Sequence, residues 1–406
     1  MNITGVIVEY NPFHNGHLYH LQKTRETTKA DILVAVMSGS FLQRGEPALI
    51  HKRSRTRMAL AGGADLVVEL PYTFSTQHAS YFADGAVRIL ADLGVDTICF
   101  GSEQGRIQPF YDLLHFMKAH NNQYQTAIQK QVQIGISYPE AASRAFHSLQ
   151  PPEGLPDLSQ PNNILGFHYM KAIDHRKPSM KAATIQRQGA GYHDAGAKNG
   201  IKSATGIRLM LSEGEDFQET APFLPETSFS ELQKGLLMTW ENYYPFLQHL
   251  LTTQPPDWLQ RIYEVEEGLE NRAAHAARQA QSFHEWMQRV KTKRYTWTRL
   301  QRMAVHILTQ TTKAEMNEAM NTDAPTRLLG MNEAGQAYLK MIRHTTAQPI
   351  KTNRGQADSA REHLDDKADL TYWLPLTGTE RIRAYQQAFA ETPVRYERTT
   401  QIFKNE

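Results

Sequence analysis

The chain has one cysteine, Cys99, among 406 residues. A single thiol can close no internal disulfide and supply no cysteine-rich zinc site. The missing disulfide framework fits a reducing compartment, and a cytoplasmic protein is expected. No run approaches the ~18 uninterrupted apolar residues of a membrane span. The opening MNITGVIVEYNPF has no basic stretch ahead of an apolar one, so it reads as a first strand rather than a secretory signal. A surplus of one charge is also missing: 44 Lys and Arg face 42 Asp and Glu, a formal net charge of +2. That excludes a histone-like polycation but leaves room for a local basic face. No internal repeat or low-complexity tract is visible.

What is present is a soluble composition, 40% apolar and 21% charged, long enough for two or three domains. Short apolar runs rich in β-branched residues recur at Ile3–Val8, Ile32–Met37, Leu66–Leu70 and Val95–Phe100, each suited to a strand buried on both faces. Helical patterns separate them: His17–Arg25, Arg53–Ala61 before Gly62-Gly63, and Phe82–Leu93 before Gly94. This alternation predicts an α/β fold with a parallel sheet wrapped by helices, to which Ala182–Ile185 returns a further strand. Ligands of such sheets sit outside the carboxyl ends of the strands, where Asn11–His17, Ser38–Gly45 and Gly101–Gly105 fall. Beyond about residue 210, segments 229–251, 258–290 and 296–320 read as helices, without convincing strands, and 345–366 as a loop. The expected division is a catalytic domain over 1–210 and a mainly α-helical domain over 211–406.

Two segments carry chemistry. His14-Asn15-Gly16-His17 stands where the first strand gives way to a helix. Gly16 admits a phosphate to the backbone, the helix start offers free N–H groups, and two imidazoles three residues apart can meet the charge growing on a leaving pyrophosphate. Two surface histidines at a helix start are the plain alternative. In Lys202-Ser203-Ala204-Thr205-Gly206-Ile207-Arg208, small hydroxyl residues, a glycine and an arginine precede a helix. They suit an anion, or simply an N-cap. A third histidine, His193, lies beside Asp194, but no convincing third metal ligand falls at readable spacing. No residue is named as a metal ligand, and Mg2+ is expected to arrive with a phosphate-bearing substrate, held mostly by phosphates and water.

Together these segments resemble the HIGH-motif nucleotidyltransferase superfamily, whose second signature is Ile-Ser-Ser-Thr-x-x-Arg. Lys202 and Ala204 depart from it; Ser203, Thr205 and Arg208 match. Further segments are Met37-Ser38-Gly39-Ser40-Phe41-Leu42-Gln43-Arg44-Gly45-Glu46-Pro47-Ala48, Phe100-Gly101-Ser102-Glu103, Pro161-Asn162-Asn163-Ile164-Leu165, Ile185-Gln186-Arg187-Gln188-Gly189-Ala190-Gly191-Tyr192-His193 and Thr292-Lys293-Arg294-Tyr295-Thr296-Trp297-Thr298-Arg299-Leu300-Gln301-Arg302. With these the chain is similar to the tRNA(Met) cytidine acetate ligase family from about residue 3 to about residue 345.

The resemblance implies a Rossmann-like catalytic domain. It also implies a ligase that activates acetate with ATP as acetyl-adenylate, then acetylates N4 of the wobble cytidine of elongator tRNA(Met). By resemblance, His14 and His17 are catalytic, and Ile7-Val8-Glu9-Tyr10-Asn11-Pro12-Phe13-His14-Asn15-Gly16-His17-Leu18-Tyr19-His20 lines ATP. Gly101, Asn162, Arg187, Gln188, Ser203, Thr205 and Arg208 complete the ATP site. Ser38, Gln43 and Arg44 could approach acetate or the target base. Lys52, Arg53, Arg55 and Arg57 fit either a solvated helix start or an electropositive lip. Lys293, Arg294, Arg299 and Arg302, interleaved with Tyr295 and Trp297, suit tRNA phosphates and unpaired bases; a solvated helix with Trp297 in the core is the alternative. Neither an obligatory protein partner nor a membrane is expected. A small-molecule adenylyltransferase and a non-catalytic nucleotide-sensing RNA binder are the competing readings. The ~190-residue extension disfavours the first, and the intact His14, Gly16 and His17 disfavour the second.

Overall fold

The computed structural model describes residues 1–177, 179–187, 200–212, 216–266, 268–353 and 355–404. Five parallel strands, β1 (Ile3–Val8), β2 (Ile32–Ser38), β3 (Leu66–Leu70), β4 (Thr97–Ser102) and β5 (Lys181–Gln186), stand in the order β5-β4-β1-β2-β3. All seven residues of β2 are buried. Successive side chains of a strand point to opposite faces. Val34 and Val36 accordingly join a core with α4 (below), while Leu33, Ala35 and Met37 join a core with Met58 and Leu60 on the other face. Between the strands lie α1 (Asn15–Thr28), α2 (Lys52–Ala61), α3 (Tyr72–Ser75), α4 (Ala79–Asp92), α5 (Gln108–Ala119), α6 (Asn121–Gln133), α7 (Tyr138–Ser148) and α8 (Pro161–Arg176). Helix α4 buries Phe82, Ala86, Ile89 and Leu90, the stripe its spacing predicts. Because β1 lies between β2 and β4, the order reverses there and opens a crevice at the carboxyl ends.

The second half departs from expectation in its strands. Helices do dominate: α9 (Ala204–Ser212), α10 (Glu226–Lys234), α11 (Trp240–Thr253), α12 (Pro256–Arg261), α13 (Leu269–Ala277), α14 (Phe283–Val290), α15 (Trp297–Leu308) and α16 (Lys313–Asn321). The three long helical segments of the sequence reading are cut into shorter ones. Gly235 closes α10 inside the first, and the side chains of Ser282 and Thr312 cap helices that start inside the other two. Four strands appear where none was expected: β6 (Thr326–Met331), β7 (Ile350–Lys351), β8 (Val394–Glu397) and β9 (Ile402–Lys404). β6 pairs antiparallel with β3, so the N-terminal sheet is extended to nine strands by the C-terminal half. Helix α17 (Glu333–Ile342) follows β6. The loop expected over 345–366 contains β7 and the start of α18 (Ala360–Tyr372), capped by Ser359; α19 (Gly378–Ala390) precedes β8.

Two buried seams join the halves. Phe41, Leu42, Ala48 and Tyr72 belong to the core of the helical part, with Tyr243, Trp286, Leu300 and Tyr372. Beside it, Lys52 Nζ donates to Glu69 (2.6 Å) and Asp369 (2.5 Å), and Arg327 pairs with the same two carboxylates at 3.3 and 3.2 Å. Lys52 and Arg55 are therefore neither a solvated helix start nor an electropositive lip: both are fully buried, and Arg55 donates to the carbonyls of Glu9, Ser38 and Ile50. Arg57 is engaged by Glu231 and the Phe403 ring, and Arg53 by the Thr392 carbonyl.

Candidate nucleotide site

Helix α1 begins on the crevice, and its two histidines make its first turn. His14 is the N-cap residue; its Nδ1 accepts from the Gly16 N–H at 3.0 Å, and the His17 Nδ1 accepts from the His14 N–H at 3.3 Å. Each accepting nitrogen is unprotonated, so each neutral ring carries its proton on Nε2 and presents it as a donor. The rings lie 3.9 Å apart between centroids. Tyr10 and Phe13 pack against His17 at 5.0 and 5.8 Å. A Cβ on Gly16 would meet His14 Cε1 at 2.7 Å, so this position requires glycine for close approach.

The rings are held neutral. Burial, then the Arg187 and Arg208 charges, lowers the His14 pKa to about 3. His17 is pushed well below its usual value by burial, then by His14 and Arg187. His20 falls to about 4 through burial and Arg187, and its Nε2 is buried without a hydrogen-bond partner. Three uncharged imidazoles thus stand among cations, an arrangement that attracts an anion, while the helix cap keeps the donor protons of His14 and His17 fixed.

Gly101 leaves β4 beside Arg187 and His20: a Cβ there would lie 3.4 Å from Arg187 Cγ and 3.9 Å from His20 Cδ2. Asn162 is not the cap of α8; Gln160 holds that place. The Asn162 amide donates to Glu103 Oε1 at 2.6 Å, and its Oδ1 accepts from Arg187 Nη1 at 3.4 Å. Glu103 also accepts from the backbone N–H groups of Asn162 and Asn163, so it fixes the start of α8 and orients Asn162 and, through it, Arg187. The sequence reading assigned Glu103 no role; its acidic side chain directly after the Phe100-Gly101-Ser102 run was the available signal.

Other expected ATP residues have supporting positions. Glu9 turns toward the loop after β2, accepting from the Gln43 N–H at 2.7 Å; burial raises its pKa, against opposing hydrogen-bond and charge effects from Gln43, Arg44 and Arg55. Asn11 Oδ1 accepts from the Leu49 N–H, and Asn15 donates to the Gly200 and Pro222 carbonyls. Ser203 caps α9, accepting from the Gly206 N–H. Arg208 donates to the Asn11 carbonyl at 2.9 Å and to Glu46 at 3.0 Å, and reaches Thr205 Oγ1 only at 3.5 Å. Gln188, His193 and Asp194 lie outside the described residues. The crevice thus brings together His14, His17, His20, Gly101, Asn162, Arg187 and Arg208. Among the described residues, no group of three or more His, Cys, Asp or Glu side chains could hold a metal ion. A hollow of about 280 Å³ lined by Leu21, Arg25 and Gly63 involves the other end of α1 and none of these residues.

The HIGH Nucleotidyl Transferase family model matches residues 1–388. The tRNA(Met) cytidine acetate ligases of Bacillus licheniformis and Halalkalibacterium halodurans are each 46% identical to this chain, covering 99% and 97% of it and the same shares of themselves. The chain belongs to the tRNA(Met) cytidine acetate ligase family. Two crystal structures of Thermotoga maritima TmcAL are similar throughout. The apo form has a TM-score of 0.89 at 33% identity, and the form bound with alpha-thio ATP has 0.87 at 32%; each match covers 98% of this chain and 100% of the other.

The basic stretch divides. Lys293 and Arg294 are exposed. Arg299 is half-buried, 4.5 Å over the Tyr295 ring and 3.3 Å from Glu266. Arg302 does not reach the surface expected of it: it is 6% exposed and held by Glu264 at 2.9 Å. Trp297 packs against the helical core, as in the alternative reading. Helix α15 nevertheless touches the crevice loop, since a Cβ on Gly45 would collide with the Arg302 backbone at 2.2 Å. Among the described residues, no helix is long and apolar enough to cross a membrane.

Proposed function

We propose that this protein is a cytoplasmic, ATP-dependent ligase that joins acetate to N4 of the wobble cytidine of elongator tRNA(Met). The observation that carries the reading is the pair of Nε2–H donors on His14 and His17, fixed by their own helix cap beside Arg187 and Arg208. An acetate oxygen attacks the α-phosphorus of ATP, the bond to the oxygen bridging to the β-phosphate breaks, and pyrophosphate leaves; Mg2+ arriving with ATP would supply charge to its phosphates. Charge then grows where the two imidazoles point. Donors that are oriented in advance and uncharged stabilise that growth without having to reorganise. Arg187, aligned through Asn162 and Glu103, holds the nucleotide on the β4 side, where Gly101 leaves room for adenosine. The cytidine N4 next attacks the acetyl carbon, loses a proton, and AMP departs. Lys293 and Arg294, with Arg299, meet tRNA phosphates; Arg302 braces α15 instead.

The test is incubation with ATP and labelled acetate, with and without tRNA(Met). Acetate-dependent exchange of pyrophosphate into ATP without RNA, and labelled N4-acetylcytidine with RNA, are expected. Product from acetyl-CoA but none from ATP plus acetate would reverse the reading. AMP retained in a small-molecule product would point to an adenylyltransferase instead.

A further inference from the structure

Outside the nucleotide crevice, a second cluster of rings gathers on the loop that follows β3. His78 is the N-cap of α4, its Nδ1 accepting from the Ser80 N–H. Its ring meets the edge of Tyr138 at 5.8 Å and of His168 at 5.9 Å. Tyr81 lies in the first turn of α4, its N–H bonded to the His78 carbonyl. Tyr81 and Tyr138 are 45% and 51% exposed, and no other tyrosine among the described residues is exposed. The exposed Tyr138 ring therefore stands against His78, while the exposed Tyr81 follows His78 by three residues in the same helix start and bears on Tyr263. Neither ring nitrogen of His168 has a hydrogen-bond partner among the described residues.

Position links this cluster to both sites already described. His168 is on α8, the helix that starts with Asn162. The residue before His78, Gln77, accepts at its carbonyl from the Gln43 side chain (2.8 Å) and at its Oε1 from the Tyr263 hydroxyl (3.3 Å). Gln43 is the residue whose N–H holds Glu9 at the end of β1. The ring cluster thus stands on the carboxyl edge of the sheet, between the nucleotide crevice and the part of the helical domain that holds Arg302 and Glu264. Exposed aromatic faces, an unpaired imidazole and the exposed Lys171 whose charge acts on that imidazole are the chemistry that seats single-stranded nucleic acid, in which unstacked bases offer both a face and an edge.

We propose that Tyr138 and His168, packed on His78, together with Tyr81 in the first turn of the same helix, seat unpaired nucleotides of the RNA loop that carries the acceptor base: the tyrosines stack on bases and His168 bonds to a base edge. This rests on the function proposed above for the choice of RNA. The test uses the full chain and an RNA hairpin with a fluorescent cytosine analogue in its loop, alongside an RNA duplex without a loop. Tyr138→Ala and Tyr81→Ala should each weaken hairpin binding roughly 5- to 150-fold, the range carried by stacking one base, and should reduce the fluorescence change on binding. Tyr138→Phe should restore both, and His168→Phe should weaken hairpin binding while keeping a ring in place. Duplex binding, and acetate-dependent pyrophosphate exchange without RNA, should stay at the unsubstituted level in all four. Normal hairpin affinity in both alanine variants, or equal losses on hairpin and duplex, overturns the proposal. If the unsubstituted protein performs no acetate-dependent exchange but the hairpin differences hold, the ligase reading falls and the nucleotide seat stands.

Discussion

His14 and His17 each spend one ring nitrogen on the backbone, and this decides what the other can do. A histidine that only packed would leave its tautomer undetermined; here the cap sets it. His14→Ala or His17→Ala should lower acetate-dependent pyrophosphate exchange roughly 10²- to 10³-fold, as loss of an oriented donor does, while affinity for tRNA changes little. Exchange within threefold of the unsubstituted rate in both variants would remove the pair from the mechanism. This part of the site was legible because strand, turn and helix start are all local, and a three-residue spacing places both rings in one turn. Glu103 was not legible as a positioning residue, because its partner Asn162 comes from a helix 59 positions later. Arg302 misled for the same reason: its charge is visible in sequence, but the Glu264 that buries it comes from another segment.

At the scale of elements, the five parallel strands were legible because each is a β-branched run buried on both faces. β6 was not, since Thr326–Met331 has two leucines and a methionine but no valine or isoleucine, and its partner β3 lies some 260 positions earlier. The seam beside β6 makes a test. Lys52→Met takes from the buried Glu69 and Asp369 their nearest cation and leaves the longer Arg327 contacts, with the Ser40 hydroxyl still on Asp369. Removing one partner of a buried ion network typically costs about 3–5 kcal/mol, so the urea midpoint should fall markedly; an unchanged midpoint would mean that Lys52 reaches water. The turn between α14 and α15 makes another. Lys293→Glu with Arg294→Glu should raise the apparent KM for tRNA, more so at low salt. Each lost phosphate contact should flatten the salt slope of log K by roughly 0.7–0.9. Acetate-dependent exchange without tRNA should be untouched, and a normal KM at low salt would leave the turn a merely solvated one.

Across the whole molecule, histidines are kept neutral by burial, and this ties stability to pH. His14, His168 and His306 are lowered to about 3, and His20 and His78 to about 4, in each case by burial before any neighbouring charge. His17 and His51 are also well below 6.5. When unfolded, all seven regain a pKa near 6.5 and take up protons that the native fold refuses. The unfolded state therefore binds more protons between about 6.5 and 4, and stability must fall as pH drops through that window. Glu9, Asp365 and Glu391 act in the opposite sense: their raised values let the native state hold protons that the unfolded chain has released. Seven groups against three favour the histidine sign. The urea midpoint should thus be lower at about pH 5.5 than at about pH 7.5, and the loss should continue on further acidification toward the native values near 4 and 3. A midpoint that rises on acidification would show the three carboxylates dominating. The same neutrality bears on catalysis: since His14 and His17 do not titrate near pH 6.5, acetate-dependent exchange measured between about pH 5.5 and 7.5, where the protein stays folded, should lack the inflection that an ordinary histidine would impose.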